Sequence, residues 1–179
     1  IYAKAKKLKG TSIYMDIVSV GATINVMLAA VGAEGTTIID NAAMEPEIVN
    51  VASFLINMGV KITGAGTKRI EIEGTKNLDN GVIEVFPDRI ESGTYIIIGA
   101  LLGDNLRIKG IIKEHIEALL MKLKEIGVEY TIDADVLTIS KCEHLKPTYI
   151  KTLVFPGFPT DLQQPMTTLL TQAEGKSIV

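Results

Sequence analysis

Two spacings of apolar residues take turns along this chain, one near 3.6 residues and one of two. Ser12–Tyr14 reads as a short strand. Residues 21–33 read as a helix, with Ile24, Met27, Leu28 and Val31 on one stripe and Ser19 as N-cap. Gly35 ends that helix, and residues 36–39 form a β-branched strand. Pro46 opens a second helix at its favoured first-turn position. Ile48, Val51, Ala52, Leu55 and Met58 give this helix its apolar face, and Gly59 stops it. Residues 60–62 and 70–72 then alternate as strands across a glycine-rich turn.

The same order recurs. Residues 90–102 read as a helix, 106–108 as a strand and 114–126 as a helix stopped by Gly127. Residues 128–132 and 136–139 are strands joined by Asp133-Ala134-Asp135. A shift of 68 residues superposes Gly35 on Gly103, Ile48 on Ile116, Val51 on Leu119, Leu55 on Leu123, and Gly59-Val60 on Gly127-Val128. A strand over 149–155 leads into a third copy near Thr160, and Ala33-Glu34-Gly35 returns as Ala173-Glu174-Gly175. Glycine stops and apolar positions coincide together, so an internal repeat explains the pattern better than chance similarity. Each unit is helix, strand, helix, strand, strand, which makes the fold class α/β. Such a unit buries its apolar face only by packing on others. Pro87 interrupts the run 82–86, which places the main boundary there.

Composition narrows the function classes. With 47% hydrophobic and 22% charged residues the chain can build a core. A net charge of −3 argues against a general nucleic-acid or anionic-membrane surface, and the absence of Trp leaves few stacking platforms. The single cysteine, Cys142, excludes an intrachain disulfide and fits a reducing compartment such as the cytoplasm. No apolar run reaches the roughly 20 residues of a membrane helix. The opening, Ile1-Tyr2-Ala3-Lys4-Ala5-Lys6-Lys7, is unlike a secretory signal. It also lacks Met, and the closing Lys176-Ser177-Ile178-Val179 reads as a strand just beginning, so a longer parent protein is expected.

Four segments offer chemistry, all at expected helix starts. Ser19, Val20 and Gly21 lie where backbone N–H groups and the helix dipole suit a phosphate, although Ser19 could simply be a cap. Glu45 and Glu47 flank Pro46, where carboxylates complement the dipole. Arg89 could grip a phosphate or carboxylate in two-pronged fashion, or pair with Asp88 or Glu91. Asp161 could act as a general base on a hydroxyl about 3 Å away, or either it or Thr160 could cap the third helix start. His115 and His144 are far apart, with no metal-ligand spacing. Cys142, beside Lys141, reads as a passive thiol.

The segments Asp16-Ile17-Val18-Ser19-Val20-Gly21-Ala22-Thr23, Asn41-Ala42-Ala43-Met44-Glu45-Pro46-Glu47, Pro87-Asp88-Arg89-Ile90-Glu91 and Phe158-Pro159-Thr160-Asp161-Leu162-Gln163-Gln164-Pro165 occur here in order. Together they resemble the UDP-N-acetylglucosamine 1-carboxyvinyltransferase family of enolpyruvyl transferases. The resemblance implies an inverse α/β barrel of two halves, each of three repeats. Residues 1–86 would end one half and 87–179 begin the other. It implies transfer of the enolpyruvyl group of phosphoenolpyruvate to the sugar 3-hydroxyl of UDP-N-acetylglucosamine, with no metal or organic cofactor. Asp161 would stand beside that hydroxyl, with Thr160 next to it. Ser19, Val20 and Gly21 would line the nucleotide diphosphate, and Glu45 and Arg89 match active-site positions. Ile17 departs from members that carry Lys there, which removes a side-chain contact. The implied partners are the two substrates and the remainder of the parent chain, without nucleic acid or membrane. The family's N-terminal Lys-Asn pair, reactive-cysteine loop, uridine-binding Arg-Pro segment and C-terminal Arg have no match in these residues, so this chain alone is expected to be inactive. The related enolpyruvylshikimate-phosphate synthases carry Ser/Gln/Lys-type residues where Val18–Thr23 stand here. A non-catalytic repeat module binding a nucleotide sugar or a protein is the alternative of a different class.

Overall fold

The computed structural model describes residues 2–179, so Ile1, the first residue of the lysine-rich opening, lies outside the described residues. The chain divides into two compact units, Ile1–Phe86 and Pro87–Val179.

The first unit contains β1 (Ser12–Tyr14), α1 (Val20–Val31), β2 (Thr36–Asp40), α2 (Pro46–Asn57), β3 (Lys61–Thr63) and β4 (Arg69–Glu73). Its sheet runs β1-β2-β4-β3, with β1 parallel to β2 and the other pairs antiparallel. Period-2 alternation turns Ile39, Ile62, Ile70 and Ile72 inward, where Met27 and Ala30 of α1 and Ile48 and Ala52 of α2 cover them. The opposite face is charged. Arg69 bridges Glu71 and Asp40, whose carboxylates, Glu71 first, hold the guanidinium pKa above its ordinary value.

The second unit repeats the plan with α3 (Arg89–Leu102), β5 (Leu106–Lys109), α4 (Glu117–Glu125), β6 (Tyr130–Asp133) and β7 (Val136–Ile139), then α5 (Gln163–Leu170). Its sheet order, β5-β7-β6, matches β2-β4-β3 strand for strand. Gly59 and Gly127 share the same left-handed backbone, φ +95° in both, after α2 and α4 respectively. In each copy the next valine donates to the carbonyl five residues back: Val60 to Leu55 and Val128 to Leu123. Both helices thus end in a Schellman motif, which requires a residue tolerant of positive φ. Among the described residues neither unit contains a closed barrel.

Several expectations need correction. Helix α1 stops at Val31, where Gly32 caps it, and Gly35 (φ +94°) instead forms the turn into β2. Its sequence counterpart Gly103 is the extended cap of α3 (φ −71°), because α3 is longer. The helix expected over 114–126 is broken: a 3-10 turn, Lys113–His115, comes first, and Ile116 (φ −123°) leaves helical geometry before α4. The strand expected over 149–155 is absent. Tyr149 and Thr152 make only isolated bridges, to Ile178 and Phe158, since a β-branched run needs a neighbouring ladder to become a strand.

Candidate functional site

In the first unit the candidate residues gather around the start of α1. Ser19 caps the helix, its Oγ accepting from the Ala22 N–H at 3.2 Å. Gly21 is exposed with open space beside its Cα, so a ligand can approach the backbone there. One turn on, the fully buried Thr23 hydroxyl donates to the Ser19 carbonyl at 2.8 Å and accepts from the Ala43 N–H at 3.1 Å. That pair of bonds ties the α1 start to the loop carrying Glu45. The loop is pinned twice more, by Asn41 Nδ2 donating to the Met15 carbonyl at 2.7 Å and the Ala42 N–H donating to the Lys68 carbonyl at 3.0 Å. Asn41 adopts positive φ (+58°), which Asn tolerates better than most side chains. Glu45 then occupies the N-cap position of α2 and is buried, with Pro46 at the first turn.

In the second unit the Asp88 carboxylate caps α3, accepting from the Ile90 N–H at 2.7 Å and the Glu91 N–H at 3.2 Å. The Arg89 guanidinium lies over the Phe155 ring, 5.8 Å from its centroid, a cation–π arrangement. Arg89, Glu114, His115, Phe155, Pro159 and Leu162 line one small cleft. His115 sits in the 3-10 turn and lines this cleft. Thr160 and Asp161 occupy a 3-10 turn, Thr160–Leu162, immediately before α5, and both are exposed. Neither fulfils the capping alternative: the cap positions fall on Pro159 and Leu162, and no side chain caps either helical segment. Leu162 anchors the turn in the core, packed with Ile96, Leu119 and Met166.

The candidates thus fall into two local groups. Ser19, Val20, Gly21 and Glu45 are linked through Thr23, while Arg89 stands beside the turn of Thr160 and Asp161. Thr23 and Phe155 were not picked out from the sequence. A Thr inside the apolar stripe of α1, four residues after a cap, was the available signal for the first. A roomier cavity lined by Lys124, Glu129, Tyr130 and Ser140 contains none of the candidates. Among the described residues no group of three His, Cys, Asp or Glu could hold a metal ion, and no helix is long and apolar enough to cross a membrane.

The chain is 55% identical over its whole length to UDP-N-acetylglucosamine 1-carboxyvinyltransferase 2 of Bacillus subtilis and 51% identical to that of Listeria monocytogenes serotype 4b. It spans 42% of the length of each of these relatives. Among solved structures it resembles the enolpyruvyl transferase NikO of Streptomyces tendae, with a TM-score of 0.87 and 27% identity over 97% of this chain and 44% of that one. EPSP synthase from Acinetobacter baumannii shares the fold at a TM-score of 0.59 and 20% identity, over 96% of this chain and 41% of that one. The family model for EPSP synthase (3-phosphoshikimate 1-carboxyvinyltransferase) matches residues 1–179, and the chain belongs to that family.

Proposed function

We propose that these residues are part of a UDP-N-acetylglucosamine 1-carboxyvinyltransferase acting in the cytoplasm. It would transfer the enolpyruvyl group of phosphoenolpyruvate to the 3-hydroxyl of UDP-N-acetylglucosamine, opening peptidoglycan synthesis and so serving cell shape and division. The observation that carries this reading is 55% identity across the whole chain to a relative of that name. Residues 1–86 are assigned to the end of one three-repeat half and 87–179 to the start of the other, with the remainder supplied by the parent chain.

Asp161 is the proposed base. Its carboxylate is exposed and is not spent on capping, which supports the role. In the addition step the sugar hydroxyl oxygen bonds to C2 of phosphoenolpyruvate while its proton passes to Asp161, and C3 takes a second proton from solvent. In the elimination step C3 returns a proton to solvent, the C2–O bond to phosphate breaks, and phosphate leaves. Thr160 helps hold the acceptor. Ser19, Val20 and Gly21 offer the α1 start to the diphosphate, an anion at a helix N-terminus. Arg89 binds a substrate anion, and Glu45 lines the site. No metal or organic cofactor enters the scheme.

A second reading, a shikimate-type transferase, is favoured by the description of the matching family model. Phosphate release by the full-length parent separates the two. The first reading expects turnover of phosphoenolpyruvate with UDP-N-acetylglucosamine and none with shikimate 3-phosphate. The reverse result would replace it with the second. The 179-residue chain alone is expected to release no phosphate.

A further inference from the structure

The segment between β4 and α3 contains no helix or strand, yet it follows a defined path along α2. The Asp79 N–H donates to the Met58 carbonyl at 3.0 Å. Gly81 lies so close to the helix that an added Cβ would meet Met58 Cγ at 2.6 Å and Phe54 Cε2 at 3.2 Å. Asn57 Nδ2 then donates to the Val82 carbonyl at 3.2 Å, and Asn50 Nδ2 to the Glu84 carbonyl at 3.1 Å. Finally the Phe86 N–H donates to Asn50 Oδ1 at 3.4 Å. Contacts 79, 81, 82, 84 and 86 thus meet α2 at 58, 54, 57 and 50, so the segment runs antiparallel to the helix. Asn50 and Asn57 are seven residues apart, which puts them on one face two turns from each other.

Of residues 79–86 only Gly81 and Ile83 are half-buried, so apolar burial holds this segment weakly. Val82 is 88% exposed and Val85 76% exposed. Asn50, through both its Nδ2 donor and its Oδ1 acceptor, and Asn57, through Nδ2 alone, supply the side-chain attachment. On the far side the Asp88 cap fixes the first turn of α3. Only Pro87 stands between the two clamps, and its ring locks its own φ.

We infer that Asn50 and Asn57 fasten residues 79–86 as a strap on α2, which opens separately from the rest of the first unit. This is independent of the reaction proposed above. A Glu-specific protease reads the strap directly, because Glu84 lies within it, while Glu71 and Glu73 in β4 serve as internal references. In the whole 179-residue chain, the double variant Asn50→Ala/Asn57→Ala is expected to be cut after Glu84 about tenfold faster, as loss of these bonds raises the open population. Cleavage after Glu71 and Glu73 and the urea midpoint should stay unchanged. Asn57→Ala alone, at an exposed position, should show a smaller rise in the same direction and keeps the test readable if the double variant folds poorly. Gly81→Ala should accelerate the same cut by crowding Met58. An unchanged rate after Glu84, or a rise shared equally by all three sites, would overturn the inference.

Discussion

Leu162 fills the space that the missing side chain of Gly93 leaves on α3. A Cβ at Gly93 would lie 2.6 Å from Leu162 Cδ1 and 3.2 Å from Leu119 Cδ2. Leu162 is the residue after Asp161, so this contact sets the height of the candidate base above the core. Gly93→Ala is expected to destabilise the chain by about 1–3 kcal/mol through overpacking. Urea unfolding measures it, and a variant as stable as the parent sequence would show that the turn is not held this way.

The Thr23 hydroxyl makes a second testable tie. It is fully buried and serves both Ser19 and Ala43. Thr23→Val keeps the shape but leaves the Ala43 N–H without its acceptor, at a cost of about 1–3 kcal/mol. Thr23→Ser keeps the hydroxyl and should recover most of that loss in the same unfolding experiment. Equal losses for Val and Ser would point to packing of the γ-methyl instead.

Asp88 and Asp161 both stand at helix starts, but only Asp88 caps its helix. Asp88 accepts two backbone N–H bonds, whereas the Asp161 turn has no side-chain cap. Asp88→Ala should therefore cost about 1 kcal/mol of stability, and Asp161→Ala less than about 0.5 kcal/mol. Thermal or urea unfolding of the two variants side by side tests whether Asp161 serves as a cap.

Much of this was legible in the amino-acid pattern. The 68-residue shift found Leu55 with Leu123 and Gly59 with Gly127, because a Schellman motif needs both an apolar partner and a glycine at fixed spacing. The break at Ile116 was not legible, since an isoleucine carries no local signal for leaving a helix. The run 149–155 has the composition of a strand, but composition cannot supply the neighbour it must pair with. At the site, the helix-start positions of Ser19, Glu45, Arg89 and Asp161 followed from periodicity. The tie through Thr23, the ring under Arg89 and the clasp of Asn50 and Asn57 did not, because each joins residues distant in sequence.

Acid should loosen the end of α4. The Glu125 carboxyl is held below its ordinary value of 4.5 by the hydrogen bond from Lys122, then by that from the Thr148 hydroxyl, with burial opposing. A depressed folded-state value means that this stabilisation is complete above pH 4.5 and is lost as the pH falls through the lower folded value. The carboxylate is largely solvent-facing, so screening keeps the effect modest. Glu125→Gln should flatten this part of the stability-against-pH curve. An unchanged acid limb in the variant would assign the loss to other carboxylates.

The proposal that Asp161 deprotonates the sugar hydroxyl is tested most directly by Asp161→Asn in the full-length parent. Phosphate release from phosphoenolpyruvate with UDP-N-acetylglucosamine should fall by about 100-fold or more in kcat, the usual scale of a general base, while the affinity for UDP-N-acetylglucosamine stays within a few-fold. Turnover by Asp161→Asn at nearly the unsubstituted rate would contradict the assignment.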